Sequence, residues 1–158
     1  MKIRVGFGYD VHQLGENEEL WIGGIHVPHR KGSIGHSDGD VLIHAICDAL
    51  LGAANLRDIG YHFPDNDPSL KGIDSKILLA KTIAILREGG YEISNIDSTI
   101  ALEKPKVKDL IPVMQQTLAN VLNIDREDIA IKATTTEKLG FVGKQEGIAA
   151  YATVLITK

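Results

Sequence analysis

The segment Gly35-His36-Ser37-Asp38-Gly39-Asp40-Val41-Leu42-Ile43-His44-Ala45-Ile46-Cys47-Asp48-Ala49-Leu50-Leu51 carries the pattern that decides the fold: a loop of small, acidic and imidazole side chains opens a helix. Asp38 or Asp40 can cap the first turn, because a short carboxylate accepts from the free amides there. The same amides, with the positive end of the helix dipole, favour an anion such as phosphate. At about 100° per residue, Leu42, Ala45, Ile46, Ala49, Leu50 and Ala53 form one apolar stripe. Asp40, His44 and Asp48 recur at i, i+4, i+8 on the opposite side, so the spacing predicts a helix that carries His44 off its core stripe. Taken alone, such a histidine is more often a packed or solvated ring than a metal ligand.

Outward from this segment, strand and helix patterns alternate. In residues 2–12, Ile3, Val5, Phe7, Tyr9 and Val11 recur with strand periodicity. Asp10 and His12, two apart in an extended chain, project to one face about 6.5–7 Å apart. An Asp-x-His pair is a two-ligand clip that a zinc site can use with a third ligand from elsewhere, and equally the pattern of a His–carboxylate hydrogen bond at a strand end. Leu20-Trp21-Ile22 and Ile25-His26-Val27 flank Gly23-Gly24 as a tight hairpin. His26 and His29 read as exposed loop residues, and Lys31 to Gly35 as a lead-in to the opening segment. Residues 52–68 read as a surface loop in which Asp58, Asp65 and Asp67 can serve ligand hydroxyls or a second metal.

Asp74 or Ser75 caps a second helix that Gly89-Gly90 stops, and a strand runs from Ile93 to Leu102. Asp109 is the expected cap of a third helix, with Pro112 in its first turn and its end near Asn123. Ile129 to Ala133 and Ile148 to Ile156 are further strands, joined by a polar, Gly-rich connection from Thr134 to Glu146. With no repeat and no linker, residues 1–158 read as a single α/β domain in two layers: a mixed, mainly four-stranded sheet with helices packed on one face.

Composition bounds the function. The formal net charge of −4 and the absence of a Lys/Arg block argue against nucleic-acid binding. No window approaches the roughly 18 apolar residues of a membrane span, and Met1 to Gly6 carries no signal-peptide run, so the expected compartment is the cytoplasm. Cys47 is the only cysteine, which excludes an internal disulfide and a thiolate zinc cage; a metal site must draw on His and carboxylates. An acidic chain that handles a phosphorylated small molecule must offset its charge locally. Thr134-Thr135-Thr136-Glu137 can surround a diphosphate and hold a hard cation such as Mg²⁺, although threonine also simply favours strands and Glu137 can be a helix-capping residue.

Gly8-Tyr9-Asp10-Val11-His12, His36-Ser37-Asp38-Gly39-Asp40 with His44, Asp58-Ile59-Gly60, Phe63-Pro64-Asp65, Lys132 to Phe141 and Gly143 to Ala149 follow in that order from the first strand to the last. Together they resemble the 2-C-methyl-D-erythritol 2,4-cyclodiphosphate synthase family of the non-mevalonate isoprenoid pathway. The resemblance implies a phosphorus–oxygen lyase that turns 4-diphosphocytidyl-2-C-methyl-D-erythritol 2-phosphate into the cyclic diphosphate and CMP, by attack of the substrate's own 2-phosphate on its β-phosphate. It implies Asp10, His12 and His44 as zinc ligands and Glu137 as the ligand of Mg²⁺ or Mn²⁺. Thr135 would contact the diphosphate, His36 and Ser37 the 2-phosphate, Asp58 and Gly60 the sugar hydroxyls, with Asp65 in a mobile loop. A cytosine pocket is implied around Leu102, Pro105, Lys106, Ala133 and Thr134, with Phe141 and Lys144 also on the substrate-binding surface. It implies a homotrimer with active sites between subunits and an isoprenoid diphosphate channel on the threefold axis.

One departure bears on that channel: Lys144 stands where the family usually has arginine. Lysine lacks the bidentate guanidinium fork for a diphosphate, which counts against an isoprenoid diphosphate there. Two rival readings stay open on the residues. One is a metallo-phosphodiesterase; the other is a non-catalytic trimeric sensor of nucleotide or isoprenoid diphosphates.

Overall fold

The computed structural model describes residues 1–158. Strands β1 (Ile3–Glu16), β2 (Trp21–Ile22), β3 (Ile25–His26) and β4 (Lys31–Ile34) come first, and helices α1 (Val41–Ala53), α2 (Ile59–His62) and α3 (Ser75–Glu88) follow. Then come β5 (Glu92–Ala101), α4 (Ile111–Leu122), β6 (Ile129–Thr134), α5 (Gly140–Gly143) and β7 (Gly147–Thr157). The main sheet has five strands, in the order β4-β1-β7-β5-β6, rather than the four expected. The additional strand is Lys31–Ile34, which pairs antiparallel with the end of β1 from Gln13↔Ile34 to Glu16↔Lys31. Four residues with a central Gly-Ser are too short to display alternation, so the strand read as a loop. The sheet is mixed as expected: β5 and β6 run parallel around the α4 crossover, and the other pairs are antiparallel.

Helix α1 is buried on nearly every side, including His44 at 9% exposure, which corrects the one-sided stripe. The sheet covers one side of the helix, and α3 packs against it as well. Glycine sets the approach of helix to sheet. A Cβ at Gly6 would lie 1.9 Å from the Ala49 carbonyl oxygen, and one at Gly8 would lie 1.9 Å from that of Ala45. The two glycines thus let α1 lie directly on β1, bringing His44 over Asp10 and His12.

Capping follows the sequence in part. Asp40 is the cap of α1, its carboxylate accepting from the Ile43 amide at 3.0 Å; the same fully buried group also accepts from Gly23 and Gly24 N–H at 3.0 and 2.7 Å. It therefore ties the hairpin turn to the helix start. Asp74 rather than Ser75 caps α3. Asp109 does not cap α4: the chain enters it through a 3₁₀ turn at Lys108–Leu110, and the capping position is Leu110. Asn123, left-handed at φ 52°, ends α4 as expected. Both long connections contain structure that polar composition concealed, namely α2, a 3₁₀ turn at Pro68–Leu70, and the one-turn α5.

The large apolar residues of β1 face away from α1. Ile3, Val5, Phe7, Tyr9 and Val11 are 42–66% exposed, while Gly6, Gly8, Asp10, His12 and Leu14 form the helix side. Tyr151 of β7 joins the exposed set, its ring 5.1 Å from that of Tyr9. The β1 and β7 part of this face is thus an exposed apolar patch, while its β5 and β6 part carries the exposed Asp97–Lys132 ion pair; at one end Val142 of α5 packs on Ala101 and Ala149.

Candidate metal centre and active site

Asp10 and His12 leave β1 on its helix side, and His44 descends from α1 to meet them. Asp10 Oδ2 lies 2.8 Å from His12 Nε2 and 3.0 Å from His44 Nδ1, and the two ring nitrogens are 3.1 Å apart. The remaining ring nitrogens are turned outward: His12 Nδ1 lies 3.2 Å from the Ile34 carbonyl oxygen and His44 Nε2 lies 2.9 Å from Ser75 Oγ. A carbonyl can only accept, so His12 carries a proton on Nδ1; Nε2 shares a second proton with Asp10 when the ring is charged and turns its lone pair inward to a cation.

Three donor atoms thus converge on one point. A tetrahedral cation with bonds of about 2.0–2.1 Å spaces its ligands about 3.3–3.4 Å apart, so this triangle needs to open by only a few tenths of an ångström. Two nitrogens and one carboxylate oxygen, with a side open to a cavity, suit a catalytic divalent centre better than a closed structural one. The metal-site reading of these three residues therefore fits the geometry.

Electrostatics agree. Burial would raise the Asp10 carboxyl, but hydrogen bonds from His12 and His44 outweigh it and hold it at about 2, so the ligand is anionic at any working pH. Burial alone would lower His12, but the hydrogen bond and charge of Asp10 raise it above 6.5. Without metal, the Asp10–His12 attraction stabilises the fold fully below the unfolded value of about 6.5 and is lost as pH rises through the higher folded value. A divalent cation on these atoms would take the place of that proton. Zinc affinity is therefore expected to fall at least about tenfold per pH unit below the His12 pKa. Any rise in Tm on adding zinc should shrink in parallel, and chelator competition across a pH series, with melts alongside, measures both; a flat profile would contradict the assignment.

The triad lies in the wall of a cavity of about 560 Å³. His36, Ser37, Gly60 and Asp65 line the same cavity, so four more of the expected residues converge on it. His36 Nε2 donates to the Asp67 carbonyl at 2.9 Å, which closes the loop across the cavity mouth. Asp58 is exposed two residues from Gly60 and is not in the lining. Asp67 is a turn carboxylate bonded to Ser69, not a site group. Ile59, Phe63 and Leu70 supply apolar walls. Cys47 is fully buried, burial pushing its thiol up to about 12, and it has no part in the site.

The other expected residues gather elsewhere. Leu102, Pro105 and Lys106 follow β5, and Ala133, Thr134 and Thr135 end β6 beside them, joined by the bond from Leu102 N–H to the Thr134 carbonyl at 2.9 Å. Glu137 sits exposed in the next turn at φ 54°, Phe141 packs on Gly147, and Lys144 is exposed. One register line crosses Val11↔Ala149, Ala149↔Ala101 and Ala101↔Thr134. At 4.7–4.9 Å per strand, this puts Thr134 about 14 Å from β1. Thr134 also points to the apolar face, whereas Asp10 and His12 point to the helices. Within one chain the two groups do not meet.

Sequence reasoning passed over Asp38 and Ser75 except as caps, and both touch the His44 environment. Ser75 stands 31 residues from His44, beyond any local periodicity.

Fold and donor set define a two-layer α/β protein with a three-residue candidate metal centre beside a ligand-sized cavity. The YgbB family model matches residues 3–157, and the chain belongs to that family. It is 68% identical over 158 residues to 2-C-methyl-D-erythritol 2,4-cyclodiphosphate synthase of Parabacteroides distasonis, covering 100% of this chain and 98% of the relative. Among solved structures, the bifunctional IspDF from Campylobacter jejuni is 44% identical with a TM-score of 0.95, covering 98% of this chain; the chain spans 42% of that longer protein. A 2C-methyl-D-erythritol-2,4-cyclodiphosphate synthase solved with CDP bound is 31% identical with a TM-score of 0.90, covering 98% of this chain and 100% of that one.

Proposed function

We propose that the convergence of Asp10, His12 and His44 on one point of the cavity is the catalytic centre of the family's cyclisation. The chain is a 2-C-methyl-D-erythritol 2,4-cyclodiphosphate synthase of isoprenoid biosynthesis, and a lyase classification fits that reaction. The substrate's 2-phosphate oxygen attacks the β-phosphorus, the bond to the α-phosphate oxygen breaks, and CMP leaves with that oxygen. No protein nucleophile is required. Zn²⁺ on the triad would supply Lewis-acid polarisation of the β-phosphate, and Mg²⁺ or Mn²⁺ at Glu137 would offset charge between the phosphates. A single exposed carboxylate suits a cation that arrives with the phosphates, since Mg²⁺ commonly takes only one or two protein carboxylates.

His36 and Ser37 hold the 2-phosphate and Thr135 the diphosphate, while Asp58 and Gly60 serve ribose or erythritol hydroxyls and Asp65 stands in the loop beside them. Cytosine is held between the 102–106 loop and Ala133–Thr135; the CDP bound in the related structure supports a cytidine diphosphate as the kind of ligand. Folding a flexible, multiply charged substrate into attack geometry is the part of the barrier that such a site lowers.

The active assembly in this reading is a cytoplasmic homotrimer. Two observations support it: the exposed apolar sheet face, and the separation of the triad from the Thr135–Glu137 turn within one chain. A ring-closing, head-to-tail interface would bring one chain's triad to its neighbour's turn and bury the apolar face.

The reaction is tested by incubating the diphosphocytidyl substrate with metal-depleted and metal-restored protein. CMP release should vanish on depletion and return when both metals are added, with phosphorus NMR showing two coupled phosphorus atoms in the cyclic product. Release of CMP with a linear diphosphate would identify the phosphodiesterase instead. Ligand binding with no turnover under any metal would identify the sensor.

A further inference from the structure

His44 is held from behind by groups outside the lining of the cavity. Its Nε2 lies 2.9 Å from Ser75 Oγ, and that hydroxyl donates in a short bond to Asp38 Oδ1. Asp38 is fixed in turn by the Ser75 amide on Oδ2 at 2.9 Å and by the Asp40 amide on Oδ1 at 3.1 Å. Because the single Ser75 hydrogen goes to the carboxylate, its oxygen is left to accept from His44 Nε2–H; Nδ1, 3.0 Å from Asp10 Oδ2, is then the nitrogen whose lone pair faces a bound cation. Ser37 Oγ also lies 3.2 Å from Nε2, but Ser37 is partly exposed and lines the cavity, whereas Ser75 is fully buried.

We infer that Asp38 and Ser75 are positioning residues that set the metal affinity of the site by fixing His44 as the Nε2–H tautomer. This deepens the metal-centre reading of Asp10, His12 and His44 and rests on it. A carboxylate behind a ligating imidazole fixes the ring's orientation and raises its basicity. Here the serine hydroxyl relays the carboxylate. The relay also leaves Ser37 free to turn its hydroxyl towards a bound phosphate without releasing the ring, because the buried Ser75 keeps His44 in place. Asp38, in the loop between His36 and α1, thereby links the phosphate-facing loop, the start of α3 and the metal ligand.

The test uses zinc alone. Competition with a chromophoric chelator is expected to show Ser75→Ala binding zinc roughly tenfold to a hundredfold more weakly than the parent protein, with Ser75→Thr restoring most of the affinity and Asp38→Asn intermediate. Nitrogen-15 histidine spectra of the zinc-loaded parent protein should show the His44 Nε2 proton held in a hydrogen bond, shifted downfield and slow to exchange with solvent. The Ser75→Ala spectrum should lose that downfield, slowly exchanging signal, a change that a purely structural role would not produce. The parent signal needs no variant to fold, and a His44 Nε2 proton that exchanges freely in the zinc-loaded parent would overturn the inference. Unchanged zinc affinity in folded Ser75→Ala would overturn it too. If the parent protein bound no zinc, the metal-centre reading would fall as well, an outcome distinct from a parent that binds normally and a variant that matches it.

Discussion

His44→Ala is expected to abolish tight zinc binding and to lower CMP release on the order of 10³-fold, since a catalytic metal supplies several kcal/mol of charge stabilisation and about 4 kcal/mol corresponds to that factor. The triad leaves no substitute ligand: Asp10 and His12 are its other members, and no further His, Asp, Glu or Cys belongs to the cluster. The variant should still fold. Alanine is the best helix former, and α1 is anchored by the Asp40 cap and by the glycine-lined contact with β1, none of which involves the imidazole. Metal content after dialysis, read beside the turnover rate, makes the measurement, with the exposed His26→Ala as control. A His44→Ala protein that kept stoichiometric zinc and normal turnover would remove the triad from the mechanism.

Much of this centre was legible in the sequence because its first two ligands are local. Period-two geometry places Asp10 and His12 on one face of β1 whatever the rest of the fold does. The pairing of that clip with His44 came from the family resemblance. The contact itself depends on Gly6 and Gly8, whose role appears only when a helix lies on them. The apolar residues of β1 show the opposite failure. Their alternation identified a strand correctly, but alternation cannot say which face meets the helices, and Ile3, Val5, Phe7, Tyr9 and Val11 turned out to cover the open side. Lys31–Ile34 was missed because four residues carry too little period to distinguish strand from loop, and its strand character comes from pairing with β1. Ser75 was read as a cap because the hydrogen bond that matters spans 31 residues. Local pattern thus supplied elements and one ligand pair, while long-range packing supplied the face and the outer support.

The bare sheet face and the divided site make a second strong prediction, which concerns mixing. Glu137→Gln is expected to keep its zinc, because Glu137 is remote from the triad, and to lose most turnover through the phosphate-bound cation. His44→Ala and Glu137→Gln preparations should each be nearly inactive alone. If each site takes its metal half from one chain and its Thr135–Glu137 half from the next, unfolding and refolding the two together rebuilds intact sites wherever a Glu137→Gln chain offers its triad to a His44→Ala neighbour. With equal amounts and random assortment, that arrangement occurs at about a quarter of the interfaces of a cyclic assembly, so about a quarter of the parent activity should return. A site contained within one chain gives no recovery, because every chain then carries a lesion in its own centre. The geometry of a single chain already favours recovery: a register line of three strand spacings, about 14 Å, and opposite faces of the sheet separate the two halves, and one diphosphate group cannot touch both. Substituting Phe7 or Val5 by lysine on the apolar face should suppress the recovered activity and shift the protein to monomers in sedimentation, since like charges would then face one another where the sheets meet. Mixtures that stayed inactive while fully trimeric would place both halves of the site within one chain after all.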